Sequence, residues 1–205
     1  TNVLLYNTLD FDFICESLLK DQYQESEKGF KVAKMEYDVI ILPSLETIRS
    51  TTLNAVASFI KAGGKVIVMG KTPTLVDAKP SKLPQKLLKK AIKIDWSKTE
   101  LLNILEENRD IEIKDQNGKA SDNLFYGLRL DGSGKNLFVC HVNTTRNKDI
   151  AEKESYVITI KGEYAPSELN TLTGEIYPIK CEYENGNTKI KWDCYTHSSL
   201  LLRLE

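Results

Sequence analysis

Asp38-Val39-Ile40-Ile41-Leu42-Pro43, joined through Ser44 to Ala62 to Gly63-Gly64-Lys65-Val66-Ile67-Val68-Met69-Gly70, is the stretch that decides the fold class. Val39 to Leu42 is an uninterrupted apolar run, the pattern of a parallel strand covered on both faces. Pro43 ends its ladder because it has no N–H to donate. From Ser50 the period changes: Leu53, Val56, Ala57 and Ile60 recur at i, i+3, i+4 and i+7, and Gly63-Gly64 supplies a left-handed stop. Val66 to Gly70 then reads as a second buried strand. A strand, a helix and a parallel strand joined by tight connections make a right-handed crossover, because a twisted strand feeding a right-handed helix packs back onto the sheet in that hand. The expected class is an open, mostly parallel α/β sheet.

Working outward, Val3 to Tyr6 reads as a short buried strand. Phe11, Ile14, Cys15, Leu18 and Leu19 fall at helical spacing, with Asp10 placed as N-cap, and Phe30, Val32 and Met35 suggest another strand. Beyond Gly70, a helix is expected over Lys98 to Asn108 with Leu101, Leu102 and Leu105 inward. After Asp110 the pattern becomes short strands with hairpin punctuation. Strands are expected over Ile111–Lys114, Leu124–Leu130, Leu137–Asn143, Tyr156–Lys161, Leu169–Leu172, Glu175–Tyr183, Thr188–Cys194 and Ser199–Leu204, with turns at Asn117-Gly118, Asp131 to Gly134 and Asn185-Gly186. That spacing favours a small antiparallel β-sandwich. The expected division is an α/β domain over 1–115 and the sandwich over 116–205.

Composition narrows the partners. Lys and Arg number 28 against 29 Asp and Glu, so no global field attracts nucleic acid or an anionic membrane. The lysines from Lys79 to Lys93 lack interleaved aromatics for base stacking and read as a solvated face. No apolar run approaches the roughly 20 residues that span a bilayer, and no basic region precedes an apolar core at the N-terminus. The chain begins at Thr1 rather than Met, which points to a processed protein or a piece of a longer one, and whether it is cytoplasmic or secreted depends on what precedes Thr1. Cys15, Cys140, Cys181 and Cys194 are scattered without metal-ligand spacing and read as small core hydrophobes; a Cys181 to Cys194 bridge is compatible with export. No metal or cofactor is expected.

Ligands of open α/β sheets bind beyond the carboxyl ends of the strands. There stand Ser44, Glu46 and Lys71, able to hydrogen-bond a ligand or another domain and equally readable as loop polarity. No glycine-rich phosphate cradle and no nucleophile elbow accompanies them. Cys140-His141 is no dyad, since adjacent strand residues point to opposite faces. His197 reads as an exposed turn residue. In the β part, Tyr164, Tyr177, Tyr183, Trp192 and Tyr195 could stack on sugar, with core and hairpin packing as the plainer account.

Asp10-Phe11-Asp12-Phe13-Ile14, Tyr37 to Pro43, Glu46-Thr47 and Ala62 to Ile67 together resemble a non-catalytic domain of large bacterial glycoside hydrolases of the α-L-rhamnosidase type. That domain looks like the class I glutamine amidotransferase fold, a flavodoxin-like three-layer arrangement, without that family's nucleophile. A similar accessory domain follows the barrel in some β-galactosidases. Leu137 to Thr144, Leu172-Thr173-Gly174-Glu175-Ile176-Tyr177-Pro178 and Ser199 to Leu202 resemble strand ends, a turn and the closing strand of the β-domain that follows. The resemblance implies an accessory segment that supports an upstream catalytic (β/α)-barrel of the same polypeptide, or its homo-oligomer interface. The barrel would carry the paired carboxylates, so no catalytic residue is carried over. Two rivals are a carbohydrate-binding module using Tyr177, Trp192 and Tyr195, and an amidotransferase-like hydrolase working from the strand ends.

Overall fold

Val39–Leu42 and Lys65–Met69 pair in parallel, with Ile41 opposite Ile67, and Ser50–Lys61 is the helix between them. A computed structural model describes residues 1–26, 29–143 and 152–205 of the chain; Thr144 of the quoted strand-end motif lies outside them. The chain is mixed α/β, mostly strand, and packs as two units, one of Asp12–Leu105 and one of Thr1–Phe11 with Glu106–Glu205.

In the first unit the central strand is Lys65–Met69, whose Val66, Ile67 and Val68 are all buried, as a strand covered on both faces requires. Its other parallel neighbour is Ile92–Ile94, with Met69 opposite Ile94. The sequence left this strand unassigned because it is three residues long and Ile92 is exposed. The helix buries Leu53, Val56 and Phe59 against Ile40, Leu42, Val66 and Val68. It closes on a Schellman motif: Gly64 N–H donates to the Phe59 carbonyl (2.8 Å) and Gly63 N–H to that of Ile60 (3.1 Å).

The start of the helix is capped from elsewhere. Arg49, at the N-cap position, makes no side-chain cap. Asp77 supplies it, its Oδ1 accepting the Ser50 N–H at 3.0 Å. Asp77 and Ala78 form a two-residue hairpin turn, both at positive φ (48° and 62°), between Leu75–Val76 and Lys79–Pro80. The Ser50 backbone N–H, then its hydroxyl, hold the Asp77 carboxyl below the usual carboxylate range. A depressed folded-state value means the stabilisation is complete at neutral pH and is lost as pH falls from about 4 through the depressed value. Asp77→Ala should therefore melt measurably below wild type at pH 7, by less than any core truncation, and the gap should close toward pH 2. A gap that persists undiminished at pH 2 would show that the ionised cap is not its source.

The N-terminal expectations change. Val3 to Tyr6 is not a strand: Asn2–Leu5 is one helical turn, since four apolar residues carry no period that separates the two. The following helix is Glu16–Gln22, with Cys15 rather than Asp10 at its N-cap position, and only Leu19 of the expected face is fully buried. Phe30–Val32 and Met35–Tyr37 are two strands of a hairpin, with Tyr23–Gln24 alongside. The expected helix ends at Leu105 and tightens into a 3₁₀ turn over Glu106–Asn108.

The second unit is two antiparallel sheets that share one core. One orders Ile111–Asp115, Lys153–Lys161, Asn187–Tyr195 and Cys181–Glu184. The other orders Leu124–Asp131, Gly134–His141, Ser199–Leu204, Pro166–Leu169 and Ile176–Pro178. Ile113, Ile158 and Ile190 from the first meet Leu124, Leu137, Val139 and Leu202 from the second. Thr1–Phe11 belongs to this unit: the Thr8 hydroxyl donates to the Ile111 carbonyl (2.6 Å), and Arg109 donates to the Asn7 carbonyl. The expected strand Glu175 to Tyr183 is two strands in different sheets, because Pro178 cannot continue the ladder. No Cys181 to Cys194 bridge forms. Both thiols are free, and Cys181 lies opposite Ile190, four positions along the strand from Cys194.

Candidate functional site

The three parallel strands end side by side and deliver the residues expected there. After Leu42 comes Ser44, after Met69 come Gly70 and Lys71, and after Ile94 comes Trp96. Lys71 N–H donates to Ser44 Oγ (3.4 Å) and Gly70 N–H to the Ile94 carbonyl (2.7 Å). Gly70 is at φ +79°, and a Cβ there would stand 3.0 Å from Trp96 Nε1 and 3.3 Å from Ser44 Cβ, so any other residue would strain the left-handed backbone and press on Trp96. Trp96 is 68% exposed. Glu46 acts through its backbone, its carbonyl accepting the N–H groups of Thr74 and Leu75 (3.1 Å each), while its side chain is exposed. Ser44 and Lys71 thus stand together beside the exposed Trp96 indole. Such a group can hydrogen-bond and stack.

The three aromatics proposed from the sequence do not meet. Trp192 is only 9% exposed and belongs to the β core, its ring 6.2 Å from Tyr156 and 6.0 Å from His141. It cannot present a face to sugar. The reason is parity: Thr188, Ile190, Trp192 and Cys194 are the buried, inward positions of Asn187–Tyr195. Tyr195, on the outward parity, is exposed. Tyr177 is exposed on the edge strand of the other sheet, where its hydroxyl donates to Glu175 and its pKa is raised by that bond.

The same parity assembles a group that sequence spacing did not reveal. His141 follows Leu137 and Val139 on the inward face of Gly134–His141. Glu154 precedes Tyr156, Ile158 and Ile160 on the inward face of Lys153–Lys161, and lies directly opposite Cys194. One atom from each of His141, Glu154 and Cys194 lies within 4.8 Å of the others. His141 Nε2 is 2.7 Å from Glu154 Oε2, and Nδ1 is 2.9 Å from the Ser198 carbonyl, which can only accept, so Nδ1 carries hydrogen. The Tyr156 hydroxyl donates to Glu154 Oε2 (3.2 Å). Burial pushes the Tyr156 phenol up to about 12, with the Glu154 charge adding to it. Burial likewise pushes the Cys194 thiol up to about 11, helped by the charges of Glu154 and Asp193. The readable signal was that His141 shares the parity of a core face; separations of 13 and 40 residues concealed the rest.

With this geometry in view, solved structures give the context. The chain has the fold of a segment carried by glycoside hydrolase chains. A rhamnosidase from Novosphingobium sp. PP1Y superposes with TM-score 0.73 at 15% identity, over 97% of this chain and 20% of that one. The apo exo-carrageenase GH42 of Bacteroides ovatus gives 0.59 at 17%, over 100% and 25%. A β-galactosidase from Bacillus circulans sp. alkalophilus gives 0.59 at 12%, over 100% and 36%. The chain therefore spans between a fifth and about a third of these proteins' length. No sequence family and no curated protein matches it.

Proposed function

We propose that this chain is an accessory, non-catalytic segment of a bacterial glycoside hydrolase of the α-L-rhamnosidase type. In this reading the first unit is a flavodoxin-like, three-layer relative of the class I glutamine amidotransferase fold without its nucleophile, and the second is a β-sandwich. The pair buttresses an upstream catalytic barrel of the same polypeptide or its homo-oligomer interface. One observation carries the reading: nearly the whole chain superposes on a segment that makes up a fifth of a rhamnosidase. The strand-end residues Ser44 and Lys71, with the exposed Glu46 of the same loop, would then face another domain, Gly70 letting the strand ends close up beside Trp96.

Purified as 205 residues, the chain should not turn over aryl rhamnosides, galactosides or fucosides above the buffer rate. Appending it to the barrel encoded upstream should raise that barrel's melting temperature. Turnover by the 205 residues alone, abolished by a substitution at Cys140 or at the strand ends, would instead establish the amidotransferase-like hydrolase reading.

A further inference from the structure

We propose that His141, Glu154 and Cys194 form a binding site for a zinc-class divalent metal at one end of the core of the β unit. Imidazole nitrogen, carboxylate oxygen and thiolate sulfur are together a zinc ligand set. The three are built in by strand parity on two sheets, and Glu154 and Cys194 are held as a directly opposed pair. His141 is oriented as metal-binding histidines are: Nδ1–H donates to the Ser198 carbonyl, and Nε2 faces Glu154 Oε2. Its side chain is 4% exposed, so it cannot rotate away into water. Tyr156, donating to Glu154, supplies the outer hydrogen bond that ligating carboxylates also have.

The contact itself calls for a cation. The Nε2 lone pair of a neutral imidazole with hydrogen on Nδ1 would face a carboxylate oxygen at 2.7 Å, two acceptors in contact. Either a proton or a metal must lie between them. At a tetrahedral metal with bonds of about 2.0–2.1 Å to N and O and 2.3 Å to S, ligand atoms stand roughly 3.3–3.6 Å apart. The Nε2 to Oε2 contact, now 2.7 Å, must open by about 0.6 Å, and Cys194 Sγ, within 4.8 Å of the other ligand atoms, must close by up to about 1.2 Å. Glu154, with a quarter of its side chain exposed, has room to make that move. Three metal bonds form, to Nε2, a Glu154 oxygen and Sγ, while the thiol proton and any proton on Nε2 leave to solvent.

Titration of the metal-free 205-residue chain with Co²⁺ tests this. One equivalent should bring up a near-ultraviolet thiolate-to-cobalt charge-transfer band and the visible bands of a four-coordinate ion, quench Trp192, and be displaced by Zn²⁺. Cys194→Ser should abolish the near-ultraviolet band, and Glu154→Gln should weaken binding at least tenfold. Cys140→Ser, which changes the next residue to His141 on the opposite strand face, should keep the band. Should Cys194→Ser fail to fold, Zn²⁺ must still raise the wild-type melting temperature. Absence of the band in the wild type, its survival in Cys194→Ser, or a melt indifferent to Zn²⁺ overturns the site and leaves a proton between His141 and Glu154.

Discussion

Trp192→Ala is expected to destabilise the β unit by about 3–5 kcal/mol, the usual cost of emptying a buried aromatic site. Trp192 is 9% exposed and sits among Tyr156, His141 and the inward residues of both sheets. Neighbours held in hydrogen-bonded sheets cannot collapse into the vacated volume, so the loss is transfer energy plus a cavity. Tyr156, which lies opposite Trp192 in register, loses the ring contact at 6.2 Å, and the hydroxyl bond to Glu154 loosens with it. Urea unfolding followed by far-UV circular dichroism reads the change. In the wild type the two tryptophans report separately, Trp96 exposed in one unit and Trp192 buried in the other, so the blue part of the emission belongs to Trp192. Oligosaccharide titration should leave that blue emission unmoved. A Trp192→Ala protein that melts like wild type but loses saturable sugar binding would reverse the assignment and favour the carbohydrate-binding module.

The contrast between what could and could not be read from the sequence has a common physical cause. The crossover from Asp38 to Gly70 was legible because each level agrees: an apolar run, a change of period, a glycine stop and another apolar run. The hairpin at Asn185-Gly186 and the turn at Asn117-Gly118 were legible from their turn residues, with Gly118, Asn185 and Gly186 all at positive φ, but the strands on either side of Asn117-Gly118 go to different sheets. Val3 to Tyr6 and Ile92 to Ile94 were not, since each is too short for its period to register and tertiary packing decides it. Trp192 and the His141 group share a different obstacle. A strand's parity can be read from its own residues, but which strand lies opposite is a long-range fact, and the pairing of Glu154 with Cys194 spans 40 residues without a local mark. Once the two sheets are in place, the same alternation that removes Trp192 from the surface gathers His141, Glu154 and Cys194.

Gly64→Ala should destabilise the α/β unit by about 2–3 kcal/mol, toward the upper end of what overpacking costs, and more than Gly63→Ala next to it. The two glycines do different jobs. Gly63 holds the left-handed position of the Schellman motif at φ +94°, with nothing within 4 Å of an added Cβ, so alanine there suffers only backbone strain of roughly 1–2 kcal/mol. Gly64 is not at positive φ, but a Cβ on it would stand 2.3–2.4 Å from three ring atoms of Phe59. That ring cannot swing aside: Phe59 is 5% exposed and packs edge-on against Phe30 at 5.6 Å, itself 2% exposed. Nor can the backbone retreat, because Gly64 N–H is bonded to the Phe59 carbonyl and Lys65 begins the central strand at the next residue. Helix stop, strand start and core ring converge on one missing methyl group. A double-mutant cycle isolates that contact: Phe59→Leu should recover part of the Gly64→Ala loss, giving a favourable coupling of about 1 kcal/mol or more. Additive effects, or a Gly64→Ala melt within experimental error of wild type, would mean that the ring does not lie over the glycine and that the close joint between helix and sheet is held by the Schellman hydrogen bonds alone.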